Sequence, residues 1–457
     1  MTITFADLSL RQETVAALLA HGFTSPFAIQ EMVLPIALSD GDVIGQAKTG
    51  TGKTLAFGIP LIERAIAPLD PEWAAFENAG LPQALVVVPT RELCLQVARD
   101  IEELTAGRGI RVLAVYGGRA FEPQIEQLQE GVEIVVGTPG RLLDLYRQGQ
   151  LKLNKVARLV LDEADEMLDL GFLPDVEKIF SSTPNRQQTM LFSATMPGDI
   201  IALARRFMSQ PMHIRTQENN DESAVVSRVE QHIFRAHAMD KIEMLARILQ
   251  AEGRGPTMVF CRTKRTCQKT ADDLIDRGFK AAPIHGDLGQ SARERALSDF
   301  KAGKSDVLVA TDVAARGIDI DGITHVINFQ CPEDDKTYVH RIGRTARAGA
   351  HGIGVTFVDW DDMPRWSLIN QSLKLGLDEP IETYSSSEHL FSALNIPAGS
   401  HGRLKKARPV TTTISRANLK EKEHHAPKLA APASPKTERT KRERTRTRNK
   451  KSKSAAN

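Results

Sequence analysis

Asp42-Val43-Ile44-Gly45-Gln46-Ala47-Lys48-Thr49-Gly50-Thr51-Gly52-Lys53-Thr54 is a short β-branched run that opens into a glycine-bearing loop, and Leu55–Ala67 after it reads as a helix. Strand, tight loop and helix, with Gly-Lys-Thr where the helix starts, is the layout of a phosphate-binding loop. The pattern G-x-x-x-x-G-K-[ST] is met except at its first position, where Ala47 stands in place of glycine. Gly50 and Gly52 let backbone N–H groups approach phosphate oxygens, and the helix N-terminus adds its dipole and unpaired donors. Lys53 is expected to reach the β- and γ-phosphates of a bound nucleotide and Thr54 to hold Mg²⁺. Ala47, Lys48, Thr49, Gly50, Thr51, Gly52, Lys53 and Thr54 together form the expected nucleotide loop.

The same layout repeats on either side. Ala84–Val88 leads into Pro89-Thr90-Arg91-Glu92, Ile134–Val136 into Gly137-Thr138-Pro139-Gly140-Arg141, Leu159–Leu161 into Asp162-Glu163-Ala164-Asp165, and Met190–Phe192 into Ser193-Ala194-Thr195. Unbroken apolar runs of this length suit strands covered on both faces of a parallel sheet. Helix-like stretches such as Glu92–Leu104 and Pro123–Glu130 separate them, so the region is an α/β, doubly wound domain. A second series follows: Thr257–Phe260 into Cys261-Arg262-Thr263, Ala281–Ile284 into His285-Gly286-Asp287, Val307–Ala310 into Thr311-Asp312, then Val326–Phe329 and Val355–Val358. The expected organisation is a first domain over 1–215, a polar linker over 216–225, a second domain over 226–384, and a basic disordered tail over 385–457. Open α/β sheets bind ligands at the carboxyl ends of their strands. Polar strand ends in both halves therefore imply two facing active surfaces.

Charge sharpens this. The 457 residues carry a net charge of only +2, but residues 401–457 hold +14 and residues 1–400 hold −12. An acidic body with a strongly basic tail points to nucleic acid or another polyanion. No apolar run approaches the roughly 18–20 residues that span a bilayer. Met1–Leu10 carries Asp7 and no positive charge, so it reads neither as a secretory signal nor as a transit peptide. Cys94, Cys261, Cys267 and Cys331 show no C-x-x-C spacing, which suits reduced thiols in a cytosolic protein and gives no zinc site.

Asp162-Glu163-Ala164-Asp165 supplies the acids that the loop chemistry needs. An aspartate at a strand end beside the phosphate loop binds Mg²⁺ directly or through water, and Glu163 next to it polarises an attacking water as general base. Through Asp-Glu-Ala-Asp and the motifs around it, residues 3–360 resemble the DEAD-box ATP-dependent RNA helicases of helicase superfamily 2, bacterial type. The resemblance implies two tandem RecA-like domains, an RNA-stimulated ATPase, and ATP with Mg²⁺ as cofactors.

It also implies roles for single residues. Gly22-Phe23, Pro26 and Ile29-Gln30, with the isolated aromatic Phe5 upstream, resemble the adenine-reading Q motif. Phe23 and Gln30 are the base contacts, since an amide offers one acceptor and two donors. The family usually has Thr where Phe27 stands. Ser193 and Thr195 resemble the motif that couples nucleotide state to domain closure, together with Asp165 and His340. Arg341, Arg344 and Arg347 recur every three residues, which predicts one helical face bearing three guanidiniums. The residues matching Arg344 and Arg347 act as arginine fingers, and Asp319 binds the ribose. Pro89, Thr90, Arg91, Gly118, Thr138, Pro139, Gly140 and Arg141 resemble the first domain's RNA track. Arg262, Gly286, Gln290, Arg293 and Thr311 resemble the second's. Hydroxyls, glycines and helix N-termini suit sugar and phosphate and so carry little sequence preference.

The resulting expectation is a cytoplasmic, monomeric RNA helicase without membrane contact. It closes on ATP and single-stranded RNA, unwinds short duplexes locally, and works with ribosome-assembly or RNA-decay proteins. The basic tail is an extra RNA tether. An ATP-gated RNA clamp with little unwinding and a superfamily 2 DNA helicase are the competing readings.

Overall fold

The computed structural model describes residues 3–47, 51–105, 107–216, 228–315, 318, 320, 322–345 and 351–404. Two parallel sheets organise them. The first contains β1 (Val43–Gln46), β2 (Ala84–Val87), β3 (Val112–Val115), β4 (Ile134–Gly137), β5 (Arg158–Leu161), β6 (Gln188–Ser193) and β7 (Met212–Arg215) in the order β3-β4-β2-β5-β6-β1-β7. The second contains β8 (Val229–Ala236), β9 (Thr257–Phe260), β10 (Ala281–Ile284), β11 (Val307–Ala310), β12 (His325–Asn328), β13 (Gly352–Val358) and β14 (Ile381–Thr383) in the order β10-β11-β9-β12-β13-β8-β14. Each sheet has seven strands.

The apolar runs make sense residue by residue, because successive side chains leave a strand on opposite faces. On one face of the first sheet Val43, Ala84, Val86, Ile134, Val136, Val160, Met190 and Phe192 meet helices Gln12–Ala20, Ala28–Ala37, Lys53–Arg64 and Arg91–Leu104. On the other, Ile44, Leu85, Val87, Val135, Leu159, Leu161 and Leu191 meet helices Pro139–Arg147, Leu173–Ser182 and Gly198–Phe207. The second sheet is built likewise. Val259, Val307, Val309, Ile327, Val355 and Phe357 face helices Lys241–Ile248 and Lys264–Asp276. Met258, Leu308, Ala310 and Val326 share the opposite layer with Phe300 of helix Gln290–Lys301.

Two expectations change here. The expected tail over 385–457 begins too early. Helix Glu388–Ala393 follows β14, and Leu390, Leu394 and Ile396 are buried in the second domain's core. Fully burying such a side chain contributes roughly 1.5–3 kcal/mol, so this stretch belongs to the domain. Gly402 N–H donates to Glu243 at 2.9 Å and Leu404 N–H to the Arg277 carbonyl at 2.8 Å. Residues 405–457 lie outside the described residues. So does the expected linker over 216–225, apart from Thr216. Second, Arg341 and Arg344 do not share one helix. Helix Asp335–Ile342 stops with Gly343 as its C-cap, and the chain turns through Arg344 N–H to the Arg341 carbonyl. Arg347 lies outside the described residues.

No helix among the described residues is long and apolar enough to cross a membrane.

Candidate active site

The nucleotide side is assembled by three neighbouring strands of the first sheet, β5, β6 and β1. Their ladder runs one residue past the strand ends. Ala47 N–H donates to the Ser193 carbonyl at 3.1 Å, and Asp162 N–H to the Val87 carbonyl at 3.0 Å. Gly52 caps helix Lys53–Arg64 with φ 82°, a left-handed turn that glycine adopts without strain. Lys53 is buried there, its Nζ 2.9 Å from Glu163 Oε1 and 3.1 Å from the Ala47 carbonyl oxygen. Glu163 also has left-handed backbone, φ 54°, as N-cap of helix Ala164–Asp169. For a residue bearing a Cβ that conformation costs roughly 1–2 kcal/mol, and such strain gathers at functional sites. Asp162 Oδ1 accepts the Glu163 N–H at 3.0 Å.

Burial pushes the Asp162 carboxyl up to about 7, with Lys53 offsetting only part of the effect. Burial also works against the Lys53 ammonium, but Glu163 and Asp162 hold it above its ordinary value. A buried carboxylate so short of positive charge suits a divalent cation beside it. Among the described residues no three or more His, Cys, Asp or Glu side chains gather into a cation cage. Magnesium typically takes one or two carboxylates plus substrate phosphates, and the Thr54 hydroxyl and Asp162 fit that role. Lys48, Thr49, Gly50 and Asp319 lie outside the described residues.

Ser193 and Thr195 reach the same acids. Thr195 donates to Asp165 Oδ2 from its backbone N–H at 2.8 Å and from its hydroxyl at 2.7 Å. Ser193 Oγ accepts the Asp165 N–H at 3.2 Å and donates to the Thr195 carbonyl at 2.7 Å.

The residues matching the Q motif divide. Phe5 is buried in the core, its N–H on the Thr24 carbonyl at 3.3 Å, so its ring faces protein and no ligand. Phe23 is exposed. Gln30 is 1% exposed and sits at the third position of helix Ala28–Ala37. Its Oε1 accepts the Phe27 N–H at 2.9 Å, and its Nε2 donates to the Gly52 carbonyl at 2.8 Å. This is the N3-to-N-cap half of a capping box. The Phe27-x-x-Gln30 spacing at a helix start was the readable signal for it.

The RNA-facing candidates sit on the other half of the first sheet's edge, after β2, β3 and β4, and after β9, β10 and β11 of the second. Thr90 Oγ1 caps helix Arg91–Leu104 by accepting the Leu93 N–H at 3.3 Å. Gly118, φ 84°, lies under the Arg91 guanidinium, where a Cβ would fall 2.2 Å from Nη1. Thr138 and Pro139 start helix Pro139–Arg147, and Gly140 faces open space. Arg141 turns inward. It stacks 3.8 Å over the Phe121 ring and donates to the Arg119 carbonyl at 2.8 Å, so it holds the Gly118-Arg119 turn. Arg262 is paired with Asp362 at 3.0 Å, inside its own domain. Gly286 is exposed and Thr311 buried. His340 is exposed on helix Asp335–Ile342. Arg341 is enclosed, with a bidentate pair to Asp312 at 2.6 and 2.7 Å, and Arg344 donates to the Ile318 carbonyl at 2.9 Å.

Three contacts join these strand ends to helix Gln290–Lys301. Arg91 donates to Gln290 Oε1 at 3.1 Å, Glu92 pairs with Arg293 at 3.0 Å, and Arg119 with Glu294 at 2.7 Å. Sequence reasoning nominated Arg91, Gln290 and Arg293 but assigned no partner across the cleft. Arg119 and Glu294 carried no local signal.

Residues 27–203 match the DEAD/DEAH box helicase family and residues 240–349 the helicase conserved C-terminal domain. The DEAD-box ATP-dependent RNA helicase CshA of Bacillus subtilis (strain 168) is 44% identical over 378 residues, 83% of this chain and 74% of that protein. The ATP-dependent RNA helicase CshA of Listeria monocytogenes is 42% identical over 392 residues, 86% of this chain and 73% of that protein. Among solved structures, Dbp5 of S. cerevisiae bound to RNA and ADP BeF3 matches with a TM-score of 0.72 at 29% identity, covering 86% of this chain and 98% of that one. Mss116p bound to ssRNA and AMP-PNP matches with a TM-score of 0.71 at 26% identity, covering 86% and 82%.

Proposed function

The chain belongs to the DEAD/DEAH box helicase family, and from that premise we propose that it is an ATP-dependent RNA helicase whose ATP hydrolysis is stimulated by RNA. The observation that carries this reading is the buried Lys53–Glu163–Asp162 group at the phosphate loop, one strand away from the loops assigned to RNA backbone. Mg²⁺, held by Thr54 and Asp162, supplies neutralisation of the triphosphate's charge when bound. Lys53 exchanges Glu163 for the β- and γ-phosphate oxygens as ATP enters. Oε1 of Glu163 then accepts the proton of the attacking water. Arg344 and Arg347, from the second domain, face the phosphate once RNA and nucleotide close the cleft; such fingers contribute on the order of 10³–10⁵ in rate. Phe23 and the Nε2 hydrogen of Gln30 that the Gly52 carbonyl does not take hold the adenine, and Asp319 holds the ribose.

Thr195 and Ser193 hold Asp165 and so tie the acidic loop to the closure step. Thr90, Arg91, Gly118, Thr138, Gly140, Gly286, Gln290, Arg293 and Thr311 hold sugar and phosphate, with Pro89, Pro139, Arg141 and Arg262 shaping the loops. Binding both ligands assembles the catalytic site, an induced-fit arrangement. On this reading the protein acts as a cytoplasmic monomer with RNA, alongside ribosome-assembly or RNA-decay proteins.

The test is ATPase activity of the full chain with and without single-stranded RNA. Wild type should be RNA-stimulated, and Glu163→Gln should lose at least 10²-fold in kcat while still binding nucleotide. A Glu163→Gln enzyme at wild-type rate would sink the assignment of the base. Equal stimulation by RNA and by matching DNA would favour a DNA helicase.

A further inference from the structure

Phe27 presents an aromatic ring where nothing in the core asks for one. It is 58% exposed, lies outside the domain's core clusters, and occupies the N-cap position of helix Ala28–Ala37, where its side chain makes no capping hydrogen bond. A polar N-cap is usually worth about 1 kcal/mol over an apolar one. The ring's neighbours explain the choice. A Cβ on Gly52 would lie 2.7 Å from Phe27 Cδ2 and 2.3 Å from Gln30 Nε2, so ring and amide both press on the one glycine that starts the Lys53 helix. Gln30 bridges the two, accepting from the Phe27 N–H and donating to the Gly52 carbonyl.

Resting on the ATPase reading above, we propose that Phe27 is a positioning residue for the nucleotide. Its ring covers the Gln30–Gly52 hydrogen bond and holds the left-handed Gly52 turn that aims Lys53 at the phosphates. A sheltered hydrogen bond is stronger than one open to water. The ring therefore sets the Gly52 turn before ATP arrives, and its loss appears in nucleotide binding more than in turnover.

The experiment compares wild type with Phe27→Ala, Phe27→Thr and Phe27→Tyr, using a fluorescent ADP analogue for equilibrium binding and RNA-stimulated ATPase for KM and kcat. Removing a ring about two-fifths buried should weaken binding and raise the KM for ATP about fivefold, the effect of burying part of one phenyl group, while kcat changes less than twofold. Phe27→Tyr should restore wild-type values. Phe27→Thr supplies a capping hydroxyl but no cover and should behave as Phe27→Ala. Wild-type KM in Phe27→Ala overturns the proposal. Wild-type KM in Phe27→Thr overturns it too, because capping alone would then suffice. A kcat loss as large as the KM gain also overturns it, because that marks general damage to the fold. Absence of RNA-stimulated ATPase in wild type is a failure of the functional reading instead, and ADP binding still scores Phe27 in that case.

Discussion

Glu92→Gln keeps the shape of the side chain and removes one charge from the cleft contact. Glu92 and Arg293 lie 3.0 Å apart with 9% and 12% of their side-chain surfaces exposed. At an effective dielectric of 20, Coulomb's law puts their attraction at about 5.5 kcal/mol. Desolvation offsets much of that, and removing one partner of a buried pair costs roughly 3–5 kcal/mol because the other charge is stranded. When the cleft opens, water reaches both groups, so the loss falls on the joined arrangement. The neutral amide still offers Arg293 an acceptor, which places the expected change at about 1–3 kcal/mol, or roughly 5–150-fold in a coupled affinity. The assay is fluorescence anisotropy of a labelled single-stranded RNA with and without a non-hydrolysable ATP analogue. Affinity with the analogue should fall within that range, while affinity without nucleotide stays within twofold. Arg293→Gln should lose more, since the proposed RNA track includes Arg293. The double variant should lose less than the two single losses added together. Wild-type affinity in Glu92→Gln, or strictly additive losses, would refute the idea that this pair stabilises closure.

Two further predictions follow from features outside the ATP site. Truncation after Leu404 spares the anchoring bonds of Gly402 and Leu404; it should weaken RNA binding and lower the salt slope by roughly 0.7 for each phosphate that the tail neutralises in the full chain, and an unchanged slope would dismiss the tail as a tether. His325, in the middle of the second sheet, is lowered by burial to about 4. Its unfolded value is near 6.5, so its contribution is fully present above about pH 6.5 and is lost as pH falls toward 4, by roughly 3 kcal/mol in all. His325→Gln should flatten that part of the melting-temperature profile.

Much of this architecture was legible because buried parallel strands announce themselves. Ala84–Val87, Ile134–Val136 and Val307–Ala310 are unbroken apolar runs with covered faces on both sides. The strands that went unread are β3, β7 and β14 at sheet edges and β8 beside one. Met212–Arg215 buries only Ile214, and Val229–Ala236 mixes Glu, Gln, His and Arg with its apolar residues, so hydropathy carries little signal there. Helix Glu388–Ala393 was hidden similarly, since this stretch reaches the core through three separated residues, Leu390 in the helix and Leu394 and Ile396 after it, behind a serine-rich turn. At the site, the residue types and order pointed to Lys53, Asp162 and Glu163, which the fold brings together. They did not disclose that Arg341 is enclosed by Asp312, nor that Glu92 and Arg293, two hundred residues apart, face one another. Such pairings depend on where whole helices point.

β2 and β5 are hydrogen-bonded neighbours, with Val87 opposite Leu161. The loop that carries Thr90 and Arg91 and the loop that carries Asp162 and Glu163 therefore spring from adjoining rails of one plate, about 4.8 Å apart. The strand ends from which they spring cannot shift relative to one another without shearing the ladder between them. On the proposed function, each plate would carry contacts to two ligands as one stiff body, and adjustable motion would be left to the gap between plates. A protein or small molecule that bridges the gap anywhere along its rim would tune the grip on polymer and on nucleotide together, and by linkage each ligand would tune the bridging molecule in return. Such a regulator would have no need to touch either pocket.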